Sequence, residues 1–202
     1  MTRNSLLKSI AQAGYNVGFG AKKHFITYDF HRVLPKLISF IVLFIGVFQL
    51  TEVFKKHISV EYSDYISIAL ILLALVALSV DFLGKNIERY NVSGKELLCL
   101  FNELRQIYND AKECQDESKL VRYSELLIKI EKHYPSVSIS EQAIFTHILT
   151  NVRFFSEMQI DWIDEQLHFT IKDKFPFYHP EAFLLYFLFM ASIFFIVKSL
   201  WC

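Results

Sequence analysis

The side chains best able to bind a metal ion or to act as acid, base or nucleophile are seven histidines and three cysteines. No histidine lies at metal-ligand spacing from another histidine or from a cysteine, and the zinc motif HExxH is absent. Cys99, Cys114 and Cys202 contain no CxxC pair, so the sequence supports neither a zinc knuckle nor a disulfide framework. The GxSxG motif of serine hydrolases and any dense cluster of carboxylates are also missing. We therefore predict no catalytic site, no metal site and no cofactor.

Three glycines near the N-terminus have the spacing that most resembles a phosphate-binding loop. Gly14, Gly18 and Gly20 do not match GxGxxG, because no predicted strand precedes them, and no Walker lysine follows. The two explanations that we keep are flexible backbone and close approach between helices.

The composition favours helices and a membrane. Hydrophobic residues make up 53% of the chain and charged residues 21%, against about 45–50% and about 25% in soluble domains. With 6 Gly and 4 Pro the chain has too few turn residues for a β-sandwich or barrel. The formal net charge of zero excludes a broadly basic nucleic-acid-binding protein and leaves room only for local basic patches.

Three apolar runs without charges lie at residues 37–50, 65–80 and 182–197. Each run is shorter than the roughly 20 residues that cross a bilayer, but flanking residues with long side chains extend it. The runs are apolar around the whole helix, which is not typical of a surface helix, and aromatic residues frame them. We predict that the first two span the membrane. The third either spans it or lies in the interface.

The predicted fold is an all-α integral membrane protein with two to three transmembrane helices and a helical cytoplasmic domain. Its expected parts are an N-terminal amphipathic segment at 1–33, a two-span hairpin at 34–83, a cytoplasmic domain at 84–179 and a C-terminal hydrophobic helix at 180–202.

Apolar residues at three- and four-residue steps predict several amphipathic helices in the middle of the chain. A first helix buries Leu97, Phe101 and Leu104 and breaks at residues 115–118, and a second stops at Pro135. The Ser138-Ile-Ser-Glu141 sequence is typical of a capping box and predicts a further helix. The residues of that helix expected to point inward are Ile144, Ile148, Val152 and Phe155.

Lysine and arginine residues beside the first two spans predict the orientation. Four precede the first span, two lie in the link and three follow the second span: Lys22, Lys23, Arg32 and Lys36; Lys55 and Lys56; Lys85, Arg89 and Lys95. Because positive residues accumulate on the cytoplasmic side, we predict that the N-terminus and the middle domain are cytoplasmic and that the link is outside.

Small residues share one face of the second span. The residues on this face are Ser67, Leu70, Ala74, Ala77 and Asp81. Small side chains permit close approach of helices in lipid, so the face serves either plain helix packing or the lining of a pore at a subunit interface. The first span offers only Ser39 and Gln49 as polar groups beside a ridge of phenylalanines, which suits lipid or packing better.

The order of elements is similar to that of a known family. Tyr15, Ala-Lys-Lys-His-Phe25 and Arg32 precede two close spans, and a long helix follows with Glu88-Arg-Tyr90 and Phe101-Asn-Glu-Leu104. This order resembles the SLATT family, which consists of two-span membrane effectors encoded beside nucleotidyltransferases in bacterial conflict systems. The resemblance covers mainly residues 15–134. The third hydrophobic segment departs from the two-span pattern, and a pairing like that of the Hailong anti-phage system fits the layout.

The resemblance implies a homo-oligomeric channel in the bacterial inner membrane that disrupts the membrane during anti-phage defence. It also implies control by a nucleotide or oligonucleotide that a neighbouring nucleotidyltransferase makes. The alternative is a non-conducting membrane anchor or scaffold for a cytoplasmic partner. An enzyme acting on lipid is disfavoured because the sequence lacks clustered acids, bases and nucleophiles.

A phosphate-bearing ligand requires cationic residues on the cytoplasmic side, because phosphate contacts dominate such binding. One face of the second cytoplasmic helix carries four basic residues, namely Lys119, Arg122, Lys129 and His133. We predict that these residues bind the ligand. The alternative is an ordinary solvated helix face.

Overall fold

The computed structural model describes residues 2–83, 86–143 and 146–174, with side chains described up to residue 80 in the first range. Every regular element in these ranges is helical, which confirms the predicted all-α fold. The helices are α1 (Arg3–Gln49), α2 (Glu52–His57), α3 (Val60–Leu83), α4 (Glu88–Glu113), α5 (Glu117–Val137), α6 (Thr146–Glu157), α7 (Asp161–Leu167) and α8 (Ile171–Lys174).

The chain divides into two compact units. One contains residues 2–26 together with the described residues from 92 onward, and the other contains residues 27–91. The hydrophobic segment 182–197, and with it the predicted helix at 180–202, lies outside the described residues. The predicted boundaries at 33, 83 and 179 stay predictions.

The first unit is built around the N-terminal half of α1. Leu6, Ile10 and Val17 follow one another at steps of four and seven residues on one side of α1 and are buried. They belong to one apolar core with Leu97, Phe101, Leu104, Tyr108 and Ala111 of α4, Leu120, Leu127, Ile130 and Val137 of α5, Phe154 of α6, and Trp162 and Ile163 of α7. The periodicity read from the α4 sequence therefore identified its buried face correctly.

The glycines of α1 are sites of close approach and do not interrupt the helix. A Cβ atom at Gly18 would lie 2.7 Å from Cδ2 of Phe101, and one at Gly14 would lie 2.9 Å from Cζ2 of Trp162. Since α1 runs unbroken past both positions, the absence of a side chain serves packing. The close-approach explanation of these glycines is the one that the structure supports.

Helix α5 continues past Pro135, so the predicted stop at this residue is wrong. The helix ends at Val137, and the Ser138 amide donates to the carbonyl of Tyr134. A proline in a helix loses one hydrogen bond and crowds the preceding turn. Here the loss falls in the last turn, where burial of Val137 in the core holds the chain in the helix.

The capping-box prediction at Ser138–Glu141 is also wrong, because Ser138 is the C-cap residue of α5 and α6 begins at Thr146. Of the residues predicted to point inward, Val152 is 49% exposed, Ile148 is half-buried and Phe155 packs against the core. Ile144 lies outside the described residues. The buried residues of α6 are Thr146, Thr150, Asn151 and Phe154. The two threonines are satisfied within the chain, since their hydroxyls donate to the carbonyls of Ala143 and Thr146. A search for apolar periodicity cannot find such a face.

A buried histidine joins α1 to the segment that follows α5. His24 is 2% exposed, and its Nδ1 lies 2.7 Å from the carbonyl oxygen of Gly20. Its Nε2 accepts a hydrogen bond of 2.9 Å from the backbone amide of Ile139. An amide only donates, so Nε2 must be unprotonated and the ring neutral, with its proton on Nδ1. Burial lowers the pKa of His24 and the charge of Lys23 lowers it further, against the opposing contact with Gly20.

Acidification should therefore destabilise the first unit. Because the folded pKa lies below the ordinary value of 6.5, the stabilisation is fully present above pH 6.5 and is lost as the pH falls towards the folded pKa. We expect the unfolding midpoint in detergent to drop by roughly 2–4 °C between pH 7.5 and pH 5.5, since losing the amide bond costs about 1 kcal/mol. His24→Gln, which stays neutral, should show a smaller drop. Equal drops in both proteins would contradict this assignment.

Candidate functional site

Two described helices are long and apolar enough to cross a membrane. They are α1, whose most apolar window has a mean hydropathy of 1.8, and the Val60–Val80 part of α3, whose window reaches 2.2. Only 11% of each window is buried in the protein. The central helix of a soluble domain would be mostly covered by its neighbours, so these windows require another apolar environment.

A polar contact joins the two spans near the link. Gln49, the last residue of α1, donates from Nε2 to Oγ of Ser67 and to the carbonyl of Ser63, both at 3.3 Å. Ser67 in turn donates to the same carbonyl at 2.9 Å. In lipid an unpaired amide is costly, so this Gln49–Ser67 contact satisfies polar groups and fixes the two helices against each other.

The link between the spans folds back onto them. It contains the short helix α2, whose first turn is capped by the hydroxyl of Thr51. Phe54 of α2 is buried, and its ring meets that of Phe48 edge-on at 5.7 Å. The predicted link is therefore an ordered cap over one end of the hairpin.

The other end of the hairpin opens into a groove of about 770 Å³. Its walls are Pro35, Lys36, Ser39, Val42 and Leu43 from α1 and Ala74, Ala77 and Leu78 from α3. The hydroxyl of Ser39 donates to the carbonyl of Pro35 at 2.8 Å. Lys36 is the charged side chain among these lining residues. We call this feature the hairpin groove.

The predicted pore face of α3 is turned towards α1. Leu70 and Ala77 are 8% and 6% exposed, while Ser67 and Ala74 are half-buried. The backbone of Asp81 belongs to α3, but its side chain lies outside the description. The sequence left open whether these residues pack or line a pore. Within one chain they pack, Ala74 and Ala77 also border the hairpin groove, and the lining of a pore stays a prediction.

The sequence predicted no contact for Gln49 and no place on a groove for Lys36, which it used only to predict the orientation. A signal for Gln49 was available, because an amide at the end of an apolar run needs a partner and Ser63 and Ser67 lie just beyond the link. The position of Lys36 on a groove could not be read from the sequence, since it depends on the packing of α1 against α3.

The predicted ligand-binding residues all lie on α5. Lys119, Arg122 and Lys129 are exposed, and within the described part of the chain their side chains form no ion pair. Nε2 of His133 instead lies 3.0 Å from a carboxylate oxygen of Glu96. Three of the four residues thus share an open face, near which Glu125 is also exposed, and the fourth is engaged by a carboxylate.

Residues 2–83, 86–143 and 146–174 contain no candidate metal-binding site. No group of three or more histidine, cysteine, aspartate or glutamate side chains in these ranges could hold one. The prediction that the chain is not an enzyme remains untested by this observation.

Comparison with known proteins decides the family. The family model described as SMODS and SLOG-associating 2TM effector domain 6 matches residues 1–181. The chain belongs to this SLATT family. The match confirms the resemblance and extends it well beyond residue 134. No curated protein and no solved structure matches the chain.

Membership in the SLATT family explains the exposure of the two apolar helices. The family description specifies a two-span effector, so the chain is a membrane effector of the kind found in conflict systems, and its apolar windows are transmembrane helices. The description also associates the family with SMODS and SLOG proteins. A Hailong-type pairing stays a prediction.

Proposed function

We propose that this SLATT protein is a pore-forming effector of a bacterial anti-phage defence system. Several copies assemble in the inner membrane, and a nucleotide or oligonucleotide from a partner nucleotidyltransferase gates the pore from the cytoplasmic side. The observation that carries the proposal is the exposure of both spans, of which only 11% is covered within one chain. Two helices cannot enclose a water path, so conduction requires a symmetric ring of copies, and the exposed faces are available for its contacts.

The hairpin groove is the part of the hairpin best suited to face the axis of such a ring. It brings the ammonium of Lys36 and the hydroxyl of Ser39 beside the small residues Ala74 and Ala77. Towards the link, Leu70 is buried and the Gln49–Ser67 contact joins the two helices. In the closed state an apolar constriction at Leu70 and Ala74 excludes water, so no plug is needed.

Reconstitution tests this proposal against the anchor or scaffold alternative. Purified full-length protein in liposomes should release a trapped ion, and crosslinking in gentle detergent should give species larger than one chain. A monomer that leaves liposomes tight with and without nucleotide would contradict the pore and favour a non-conducting anchor. We expect no catalytic activity in the same preparations, because the sequence carries no clustered acid, base and nucleophile.

The orientation makes a separate prediction. In a variant with Cys99, Cys114 and Cys202 replaced by serine, Lys56→Cys in α2 should react with a membrane-impermeant thiol reagent in intact cells. Lys129→Cys in α5 should react only after permeabilisation, because the positive residues beside the spans favour a cytoplasmic middle domain. Both positions are exposed, so burial does not confound the comparison. Labelling of Lys129→Cys in intact cells would contradict the proposed orientation and place the middle domain outside.

A further inference from the structure

We propose that a cavity in the first unit binds a nucleoside monophosphate, either free or as the terminal unit of an oligonucleotide. The cavity lies where the connection between α6 and α7 crosses the groove between α1 and α4. The inference assigns a site to the ligand control of the proposed function, and to that extent it rests on that function. The binding itself is argued from the cavity alone.

The floor of the cavity is apolar and partly aromatic. Phe25 of α1, Leu98 and Phe101 of α4, and Met158 after α6 line it. Phe101 is held in place by Trp162, with ring centroids 5.7 Å apart. Since Phe101 is 3% exposed, the aromatic ring with surface left for a ligand is that of the half-buried Phe25. Beside the flexible thioether of Met158, this ring suits a flat group such as a nucleobase, because stacking on an aromatic face tolerates any base.

Two cationic side chains stand at the same cavity. Nζ of Lys22 lies 2.7 Å from Oε2 of Glu157, and Nη1 of Arg105 donates to Oε1 of Gln159 at 2.6 Å. Glu157 and Gln159 both belong to the stretch that leaves α6. The protein's own acceptors therefore occupy the two positions at which an anionic ligand would be held.

A phosphate group is a better partner for these cations than the acceptors now present. Glu157 supplies one negative charge, which it shares between Lys22 and Nε of Arg153 at 3.7 Å, and Gln159 is neutral. The bond from Lys22 holds the pKa of Glu157 below its ordinary value, so the residue is charged at neutral pH. A phosphate carries more charge and three acceptor oxygens, and arginine binds it in two-pronged geometry.

The volume sets the size of the ligand. The cavity measures about 250 Å³, below the roughly 300–1,000 Å³ of sites that enclose drug-sized molecules. One base with its phosphate at the rim suits this space, and further nucleotides of a chain would extend outside it. The exposed basic face of α5 would attract phosphates through its charge alone.

Binding has a mechanical consequence within this unit. The Lys22–Glu157 ion pair ties α1 to the end of α6. A phosphate that binds Lys22 displaces Glu157 and breaks this ion pair. Because α1 also contains the first membrane span, the ligand acts directly on a helix of the hairpin.

The test uses the full-length protein in detergent and measures binding of adenosine 5′-monophosphate, adenosine and inorganic phosphate by calorimetry. We expect adenosine 5′-monophosphate to bind at least about tenfold more tightly than adenosine or inorganic phosphate. Only the monophosphate contacts both the apolar floor and the cationic side chains of Lys22 and Arg105. Arg105→Gln and Lys22→Gln should each weaken its binding by about tenfold or more. Lys8→Gln is the matched control, because Lys8 is exposed on α1 and lies outside the cavity lining, and it should leave binding unchanged. Arg122→Gln tests instead the predicted binding face of α5.

Glu157→Gln is the control that distinguishes loss of the site from misfolding. Removing the competing carboxylate should tighten binding of the monophosphate, a gain that a damaged protein cannot show. The proposal is overturned if the monophosphate does not bind, if it binds no better than inorganic phosphate, or if Arg122→Gln weakens binding while Arg105→Gln does not. Binding without ion flux in liposomes would retain this site and reject the pore, whereas flux without binding would do the reverse.

Discussion

Ala74→Asp is expected to raise ion flux through the resting protein by about tenfold or more in liposomes. Ala74 lies half-buried on α3 and borders the hairpin groove together with Ala77. A carboxylate at this position brings water into an apolar constriction, and a wetted constriction conducts. The measurement is release of a trapped ion at equal protein-to-lipid ratio without added nucleotide.

Two controls separate wetting of a pore from damage to the hairpin. Ala69→Asp places the same carboxylate on an exposed face of α3, where it meets lipid and should cause no comparable flux. Ala74→Leu keeps the position apolar and should leave the protein closed. If Ala74→Asp inserts normally and its liposomes release no more ion than those with Ala69→Asp, the groove does not line a water path.

Gly14→Ala is expected to lower the free energy of unfolding of the first unit by about 1–3 kcal/mol, as overpacking of a tight core does. The added methyl group would overlap Cη2 of Trp162, and the indole cannot retreat easily because Phe101 and Tyr108 pack against it at 5.7 and 5.2 Å. Thermal unfolding in detergent measures the effect, and a fall of roughly 2–4 °C per kcal/mol is expected for a chain of this length.

The same substitution at another glycine of the same helix provides the comparison. A Cβ atom at Gly46 meets nothing within 4 Å, so Gly46→Ala should be neutral or slightly stabilising because alanine is the better helix former. In a Trp162→Leu background Gly14→Ala should cost much less, since the obstructing ring is gone. Equal effects of Gly14→Ala in both backgrounds would show that the glycine serves something other than this contact.

Much of the fold could be predicted because it depends on local pattern. The spans follow from charge-free runs, and the buried face of α4 follows from Leu97, Phe101 and Leu104 at helical spacing. The errors came where tertiary packing overrides local signals. Val137 is held in the core and carries α5 past Pro135, and α6 buries threonines whose hydroxyls are satisfied by its own backbone.

The candidate sites were harder to predict because they join distant parts of the chain. The bond between His24 and Ile139 links residues 115 positions apart, and the one between Lys22 and Glu157 links residues 135 apart. A single sequence contains no signal for such pairs. The basic residues of α5 were easier to notice, since they lie close together on one helix, but proximity in sequence does not build a cavity around them.

The Gln49–Ser67 contact bears on how the protein is made. Gln49 emerges from the ribosome before Ser63 and Ser67 exist, so the first span alone would enter lipid with an unpaired amide, at a cost that apolar side chains must offset. Once α3 follows, the amide is satisfied within the hairpin. The two spans are thus energetically suited to leave the insertion machinery together, as a single preassembled piece of membrane protein.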